Sequence, residues 1–178
     1  MVTASYPRPV PDGGIVLTRM RWWHARPVLA LEHELFAEEP WSEAAFWNEL
    51  AETATRHYVV ALQPAPAASP GGDLPVDVPV LGYAGLAVVD DEAHVLTIGV
   101  TRSAQGRGIG AALLRDLLTA AGPRRVFLDV RVENAVAQRL YARHGFVPVG
   151  RRPRYYQPGG TDALVMAREP WTTQCSPP

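Results

Sequence analysis

Aliphatic residues come in short runs through the first hundred positions and then, from Gly108, recur every fourth residue, so the predicted elements change from strands to helices along the chain. Ile15 to Arg19 reads as a first strand, and Pro27 to Phe36 carries Val28, Leu31 and Leu35 at helical spacing before Ser42, which is placed to cap a second helix. His57 to Leu62 and Val80 to Val89 read as strands, and Ala93 to Val100 follows by a hairpin through Asp90, Asp91 and Glu92. Ile109, Leu113, Leu117 and Ala121 then share one helix face, widened by Leu114 and Leu118, until Gly122-Pro123 stops the helix. Arg125 to Arg131 is a strand, Ala135 to His144 a helix ended by Gly145, and strands near Pro148 to Tyr156 and Ala163 to Ala167 complete the series. On that last helix Val136 and Leu140 are expected to face the core, with Tyr141 about 100° round from Leu140. The order predicts an α/β chain of the mixed α+β kind: a mixed sheet flanked by about four helices, with a right-handed parallel crossover from Ala93 to Arg131.

Composition narrows this to one domain. A chain of 178 residues, 47% apolar and 20% charged, suits a single core, expected over residues 14–169. Five of the 17 prolines, Pro64, Pro66, Pro70, Pro75 and Pro79, crowd beside Gly71 and Gly72, so 63–79 reads as a loop insertion. Residues 1–13 and 170–178 read as flexible tails. A net charge of -1 supplies no broad basic field, so neither nucleic acid nor an anionic membrane is expected as partner. No run of about 20 apolar residues could span a bilayer, Met1 to Gly14 lacks the apolar run of a signal peptide, and the one cysteine, Cys175, excludes an internal disulfide; the expected location is the cytoplasm. His24, His33, His57, His94 and His144 have no ligand spacing, and no metal is expected.

The chemistry concentrates at Gln105-Gly106-Arg107-Gly108-Ile109-Gly110-Ala111, between a strand and a helix N-terminus. Backbone N–H groups freed of side chains there can converge on an anion, aided by the helix dipole, and a pyrophosphate is a natural guest. The plainer reading is a tight turn. The same residues can be written G-x-G-x-x-A with Asp129 about 20 residues on, as in dinucleotide-binding folds. Against that, five mostly polar residues separate Val100 from Gly106, and too little chain follows Asp129 to complete such a sheet.

Thr97-Ile98-Gly99-Val100 with the following glycine turn resembles the strand and Q/R-x-x-G-x-G/A acyl-CoA motif of the GNAT acetyltransferase superfamily. Leu128-Asp129-Val130-Arg131-Val132-Glu133-Asn134-Ala135 and Leu140-Tyr141-Ala142-Arg143-His144-Gly145-Phe146 are similar to a narrower family, the RimI ribosomal-protein-alanine N-acetyltransferases. Glu39-Pro40-Trp41-Ser42-Glu43, Arg152-Pro153-Arg154-Tyr155-Tyr156 and Asp162-Ala163-Leu164-Val165-Met166 resemble further signatures of that family, and the match spans roughly residues 15 to 168. The resemblance implies a GNAT-like, mostly antiparallel sheet with a splayed parallel pair. It implies acetyl-CoA as co-substrate, with Ile98, Gly99 and Val100 beside the pantetheine arm, backbone N–H groups of Gly106, Arg107, Gly108, Ile109, Gly110 and Ala111 at the pyrophosphate, Asn134 hydrogen-bonded to the arm and Tyr141 near the thioester sulfur. Asp129 stands where the family usually has a glutamate general base.

Amine acylation needs an acceptor for the amine's proton and a donor for the departing thiolate. Tyr141 suits the donor role and reads otherwise as a packing aromatic. Asp129 points away from Leu128 and Val130, as a base or as a hydrogen-bond acceptor and partner of Arg131; its missing methylene withdraws the carboxylate by about one C–C bond, ~1.5 Å. Glu133 reads as a solvated charge or a substitute base. Trp22, Trp23, Trp41 and Trp47 read as core packing, Trp41 alternatively as part of an acceptor site. Tyr155 and Tyr156 with Arg151, Arg152 and Arg154 read as a groove for a peptide N-terminus or a solvated strand edge. The resemblance therefore implies acetylation of a protein N-terminus, a ribosomal protein's N-terminal alanine first, by a monomer or weak dimer; a small-molecule amine acetyltransferase and a non-catalytic acetyl-CoA-binding module are the alternatives.

Overall fold

Short aliphatic runs joined by tight polar turns pair most readily with their neighbours in sequence, and most of the sheet is built that way. The computed structural model describes residues 8–10, 14–36, 41–63 and 78–170. Its strands are β1 (Arg8–Val10), β2 (Ile15–Arg19), β3 (Arg56–Leu62), β4 (Val80–Val89), β5 (Glu92–Val100), β6 (Arg125–Arg131), β7 (Val147–Tyr156) and β8 (Thr161–Arg168). They form one sheet in the order β1-β2-β3-β4-β5-β6-β8-β7, parallel only at β5–β6. The helices are α1 (Ala25–Leu35), α2 (Glu43–Ala51), α3 (Ile109–Ala121) and α4 (Ala135–Arg143). This is the mixed sheet with four helices that the pattern predicts, mostly antiparallel as the resemblance implies, and it excludes the dinucleotide-binding alternative, whose sheet is mostly parallel.

Arg8–Val10 falls in the segment read as a flexible tail, yet its backbone pairs with β2, from Arg8↔Leu17 to Val10↔Ile15, because β2 otherwise leaves an open sheet edge. The rest of 1–13, most of 170–178 and residues 64–77 of the Pro-rich insertion lie outside the described residues; the insertion's flanks meet through a Gln63 N–H to Pro79 C=O bond of 3.1 Å.

Each sheet face carries its own core. On one, α3 packs Ile109, Leu113 and Leu117 over Leu86, Val126 and Leu128. On the other, α1 and α2 lay Val28, Leu31 and Phe46 over Tyr58, Val60 and Tyr83, with the Ser42 Oγ accepting from the Ala45 N–H to cap α2. Helix α4 does not turn the face expected of it. Val136 is 71% exposed, and Ala137, Leu140 and Tyr141 face inward, the i, i+3, i+4 set of one helical stripe. Trp22 likewise lies outside the core, exposed at the surface with Trp23 and Trp47 partly so, while Trp41 packs at the margin of the α1–α2 core.

Close packing of β4 on β3 depends on Gly85, where an added Cβ would fall inside the ring of buried Tyr58, itself held by a 3.2 Å bond from its hydroxyl to Glu49 Oε2. Gly85→Ala is expected to destabilise the fold by about 1–3 kcal/mol, the usual cost of overpacking. An unshifted urea midpoint would show that Tyr58 yields freely.

The feature that positions the site lies at mid-sheet. The β5–β6 ladder runs from Glu92↔Arg125 to Val95↔Leu128 and then ends, although β5 continues to Val100 and β6 to Arg131. At that level β5 carries an extra residue, Leu96, against β4, where Leu86↔Val95 is followed by Gly85↔Thr97. A bulge bends and twists the strand that carries it, and beyond this one the two parallel strands separate.

Candidate active site

A cleft of about 1000 Å³ opens at this separation. Its walls come from both faces of the sheet: Asp129 and Arg131 from β6, Asn134 and Tyr141 from the N-cap and last turn of α4, and Glu32 and Trp41 from the α1–α2 side. Arg152, Tyr155 and Tyr156 of β7 line one rim, while Arg151 and Arg154 do not line the cleft. Of the residues singled out from sequence, Ile98, Asp129, Asn134 and Tyr141 therefore meet at one cleft. Gly99, Val100 and the turn Gly106–Ala111 are not in its lining and follow at the far end of β5.

Strand alternation sets Asp129 apart from Leu128 and Val130, which are buried on the α3 side. Its ion-pair neighbour is Arg152, with Nε 3.2 Å from Oδ1, while the Arg131 guanidinium lies over the Tyr156 ring at 4.5 Å. Arg152, from a distant strand, replaces the sequence neighbour Arg131 as the expected partner. Asp129 Oδ1 is nevertheless buried and receives no hydrogen bond, because the Arg152 N–H does not point at it. A buried acceptor that receives no hydrogen bond is costly even beside a charge, and at a cleft wall such an oxygen suits an incoming N–H.

Tyr141 is 9% exposed, its ring 5.9 Å from that of Phe146. Burial pushes its phenol up to about 12, so it holds its proton at neutral pH. Burial, then the charge of Asp129, also pushes Tyr156 up to about 12. Asn134 caps α4: its Oδ1 accepts from the Ala137 N–H at 3.0 Å, so the side-chain oxygen is committed to the helix and only its NH2 is left for a ligand. Glu133 is exposed in the preceding turn and does not line the cleft, in keeping with its reading as a solvated charge.

At the far end of β5, Gly106 and Gly108 both have φ +78°, a region costly for residues with a Cβ, and open space surrounds them. Gly108 is the N-cap of α3 and brings no capping side chain, so the helix's first amides are offered outward. The turn is pinned by its neighbours: the Gln105 Nε2–H donates to Val100 C=O at 3.1 Å, and Ile109 is buried in the core, leaving its backbone as the part available to a ligand. Ile98 and Val100 pack toward α3, whereas Gly99 lies against Tyr83 and Leu35.

Sequence reasoning missed Glu32. It is 4% exposed, and burial pushes its carboxyl up to about 7, against the lowering effect of a hydrogen bond from the Trp41 N–H. The signal was present: Glu32 stands four residues after Val28 and three before Leu35, on the apolar stripe of α1 where a charge has no packing reason to be. Among the described residues no group of His, Cys, Asp and Glu could hold a metal ion, and no helix is long and apolar enough to cross a membrane.

Comparison with known proteins fits this geometry. The model of the acetyltransferase (GNAT) family matches residues 18–146. The chain is 43% identical over 144 residues to the N-alpha-acetyltransferase RimI of Mycobacterium tuberculosis, covering 78% of this chain and 82% of the relative. It is 32% identical over 133 residues to the ribosomal protein bS18-alanine N-acetyltransferase of Salmonella typhimurium, covering 72% and 80%. The crystal structure of the ribosomal-protein-S18-alanine N-acetyltransferase from Escherichia coli superposes with a TM-score of 0.72 at 26% identity, over 91% of this chain and 97% of that one. A splayed parallel pair, a glycine turn heading α3, an aspartate and a tyrosine facing one cleft, and these matches together establish that the chain belongs to the GNAT acetyltransferase family, in which it is RimI-like.

Proposed function

We propose that this protein transfers the acetyl group of acetyl-CoA to the N-terminal α-amine of a protein, a ribosomal protein beginning with alanine being the favoured acceptor. The observation that carries the reading is a buried Asp129 oxygen that receives no hydrogen bond, in a cleft shared with protonated Tyr141, at a break in the sheet. The acceptor class is supported by the relatives, an N-alpha-acetyltransferase and a ribosomal protein bS18-alanine N-acetyltransferase.

The chain fits the co-substrate on its own features. Beyond Val95 the β6-facing edge of β5 has no strand partner among the described residues, so the backbone of Ile98, Gly99 and Val100 suits an extended amide-bearing arm. The uncapped α3 N-terminus and the glycines before it suit a pyrophosphate, with Gly106 to Ala111 offering N–H groups and Arg107 a cation beside them. The Asn134 NH2 would donate to the arm. Acetyl-CoA, when bound, supplies an activated thioester; Asp129 would take the amine's proton and Tyr141 would donate one to the sulfur that departs.

Incubation with acetyl-CoA and a peptide bearing N-terminal alanine is expected to add one acetyl group at the α-nitrogen, located by tandem mass spectrometry. Thiol release with polyamines or aminoglycosides, and none with any peptide, would replace this reading by small-amine acetylation. Gly108→Trp tests the anion site: a side chain held at φ +78° costs on the order of 1–3 kcal/mol and crowds the turn, so calorimetry should find acetyl-CoA bound at least ~10-fold more weakly, with the circular dichroism spectrum retained. Undiminished affinity would place the pyrophosphate elsewhere.

A further inference from the structure

Three buried polar side chains stand out among the described residues: His24, Glu32 and Asp116. Two have structural roles. His24 Nδ1 accepts the Arg21 N–H at 3.0 Å, and Asp116 meets His57 Nε2 at 2.9 Å beneath α3. Glu32 alone of the three lines the cleft, and among the described residues it forms no ion pair.

Turning an ammonium into an amide removes two protons from one nitrogen, the first before attack and the second as the C–N bond forms. Asp129 on β6 can serve for one. The other needs a second acceptor on the side from which the amine arrives. We propose that Glu32 is this second acceptor: its carboxylate binds the incoming ammonium and takes the first proton, delivering a free amine to the thioester. This deepens the N-terminal acetylation reading and rests on it.

The balance closes. The ammonium gives one proton to Glu32; the C–N bond forms as the C–S bond breaks; the second proton passes to Asp129; Tyr141 protonates the departing sulfur and is refilled from Asp129. Glu32 then releases its proton to solvent, which is the one net proton of the overall reaction. A carboxyl raised to about 7 by burial suits that duty, since an α-amine titrates near ~8 and the transfer is then close to even. The titratable and charged groups on the elements around Glu32 are His24 before α1, Arg26, His33 and Glu34 on α1, Glu49 on α2, Arg56, His57 and Tyr58 on β3, Tyr83 on β4, and Glu92, His94, Asp129, Arg131, Tyr141, Arg152, Tyr155 and Tyr156 toward the cleft. Arg56 is paired to Glu49, which leaves the Glu32 carboxylate without a competing cation from that strand.

Glu32→Gln keeps an oxygen for the Trp41 N–H and removes the base. With an N-terminal alanine peptide at pH 6.5, kcat/KM is expected to fall ~10²-fold, and the loss should shrink to roughly threefold at pH 9.5, where nearly all of the amine is already free base. The KM for acetyl-CoA and the melting temperature should hold. Glu32→Asp, with its carboxylate drawn back ~1.5 Å, should repeat the pattern with a smaller loss. An equal loss at both pH values, a raised acetyl-CoA KM, or wild-type rates at pH 6.5 overturns the proposal while leaving N-terminal acetylation standing. A wild-type enzyme that acetylates no peptide overturns both.

Discussion

Tyr141→Phe is expected to lower kcat by about 10²- to 10³-fold while changing the KM for acetyl-CoA less than about threefold. The substitution deletes one oxygen and keeps the ring against Phe146, so the core on that side stays filled. A phenol at about 12 looks too weak to protonate a thiolate, whose thiol titrates near ~8.5 in water. Both groups would share the same poorly solvated surroundings, however, and burial raises a thiol as it raises a phenol, so the gap between them stays at the ~1.5 pKa units it has in water and the transfer remains accessible. The test has a second arm. Because the folded pKa lies above the unfolded ~10, neutral Tyr141 contributes stability that is complete below about pH 10 and is lost as pH rises through about 12. Urea midpoints of wild type and Tyr141→Phe should therefore converge or cross as pH climbs from 9 toward 12. Undiminished kcat in the variant would assign the thiolate's proton to another donor.

Asp129→Asn is expected to cut kcat by about 10²- to 10⁴-fold, because the amide cannot take a proton and turns one donor toward a site that needs acceptors. Loss of the ion pair with Arg152 should matter less for stability: Arg152 is largely exposed at the rim, and such pairs contribute only ~0–1 kcal/mol. Asp129→Glu is the informative control. One added methylene advances the carboxylate by ~1.5 Å, and turnover within about tenfold of wild type would show that the cleft accommodates either length. Should Asn turn over as fast as Asp, the proton leaves by another route, with Glu32 the first group to test.

The sequence was most legible where a local rule decides. β2, β4 and β6 begin and end where their aliphatic runs do, because Gly, Asp-Asp and Gly-Pro turns bound them. Asp129 could be assigned to a face by alternation alone, and α3 by its four-residue stripe. β1 was missed since three residues between prolines and glycines carry no period, and they pair only because β2 presents an edge. The inward face of α4 was misjudged because the short helix offers two nearly equal stripes, and the gap beside β6 selects the one holding Tyr141. Arg152 beside Asp129 joins positions far apart in sequence, which no periodicity encodes. The glycine turn before α3 was legible as a motif, but its left-handed N-cap and the lack of a capping side chain are visible only in three dimensions.

An interrupted ladder leaves the sheet with an unstitched seam at its centre, where β5 is still laced to β4 on one side and bare on the other from Leu96 onward. A guest lying there acts as a missing thread joining the β1–β5 half to the β6–β8 half. Occupancy should then be felt as mechanical reinforcement of the whole sheet, with slowed amide hydrogen exchange along Leu96–Val100 and Asp129–Arg131 together, so that saturation with the donor tightens both sides of the seam at once.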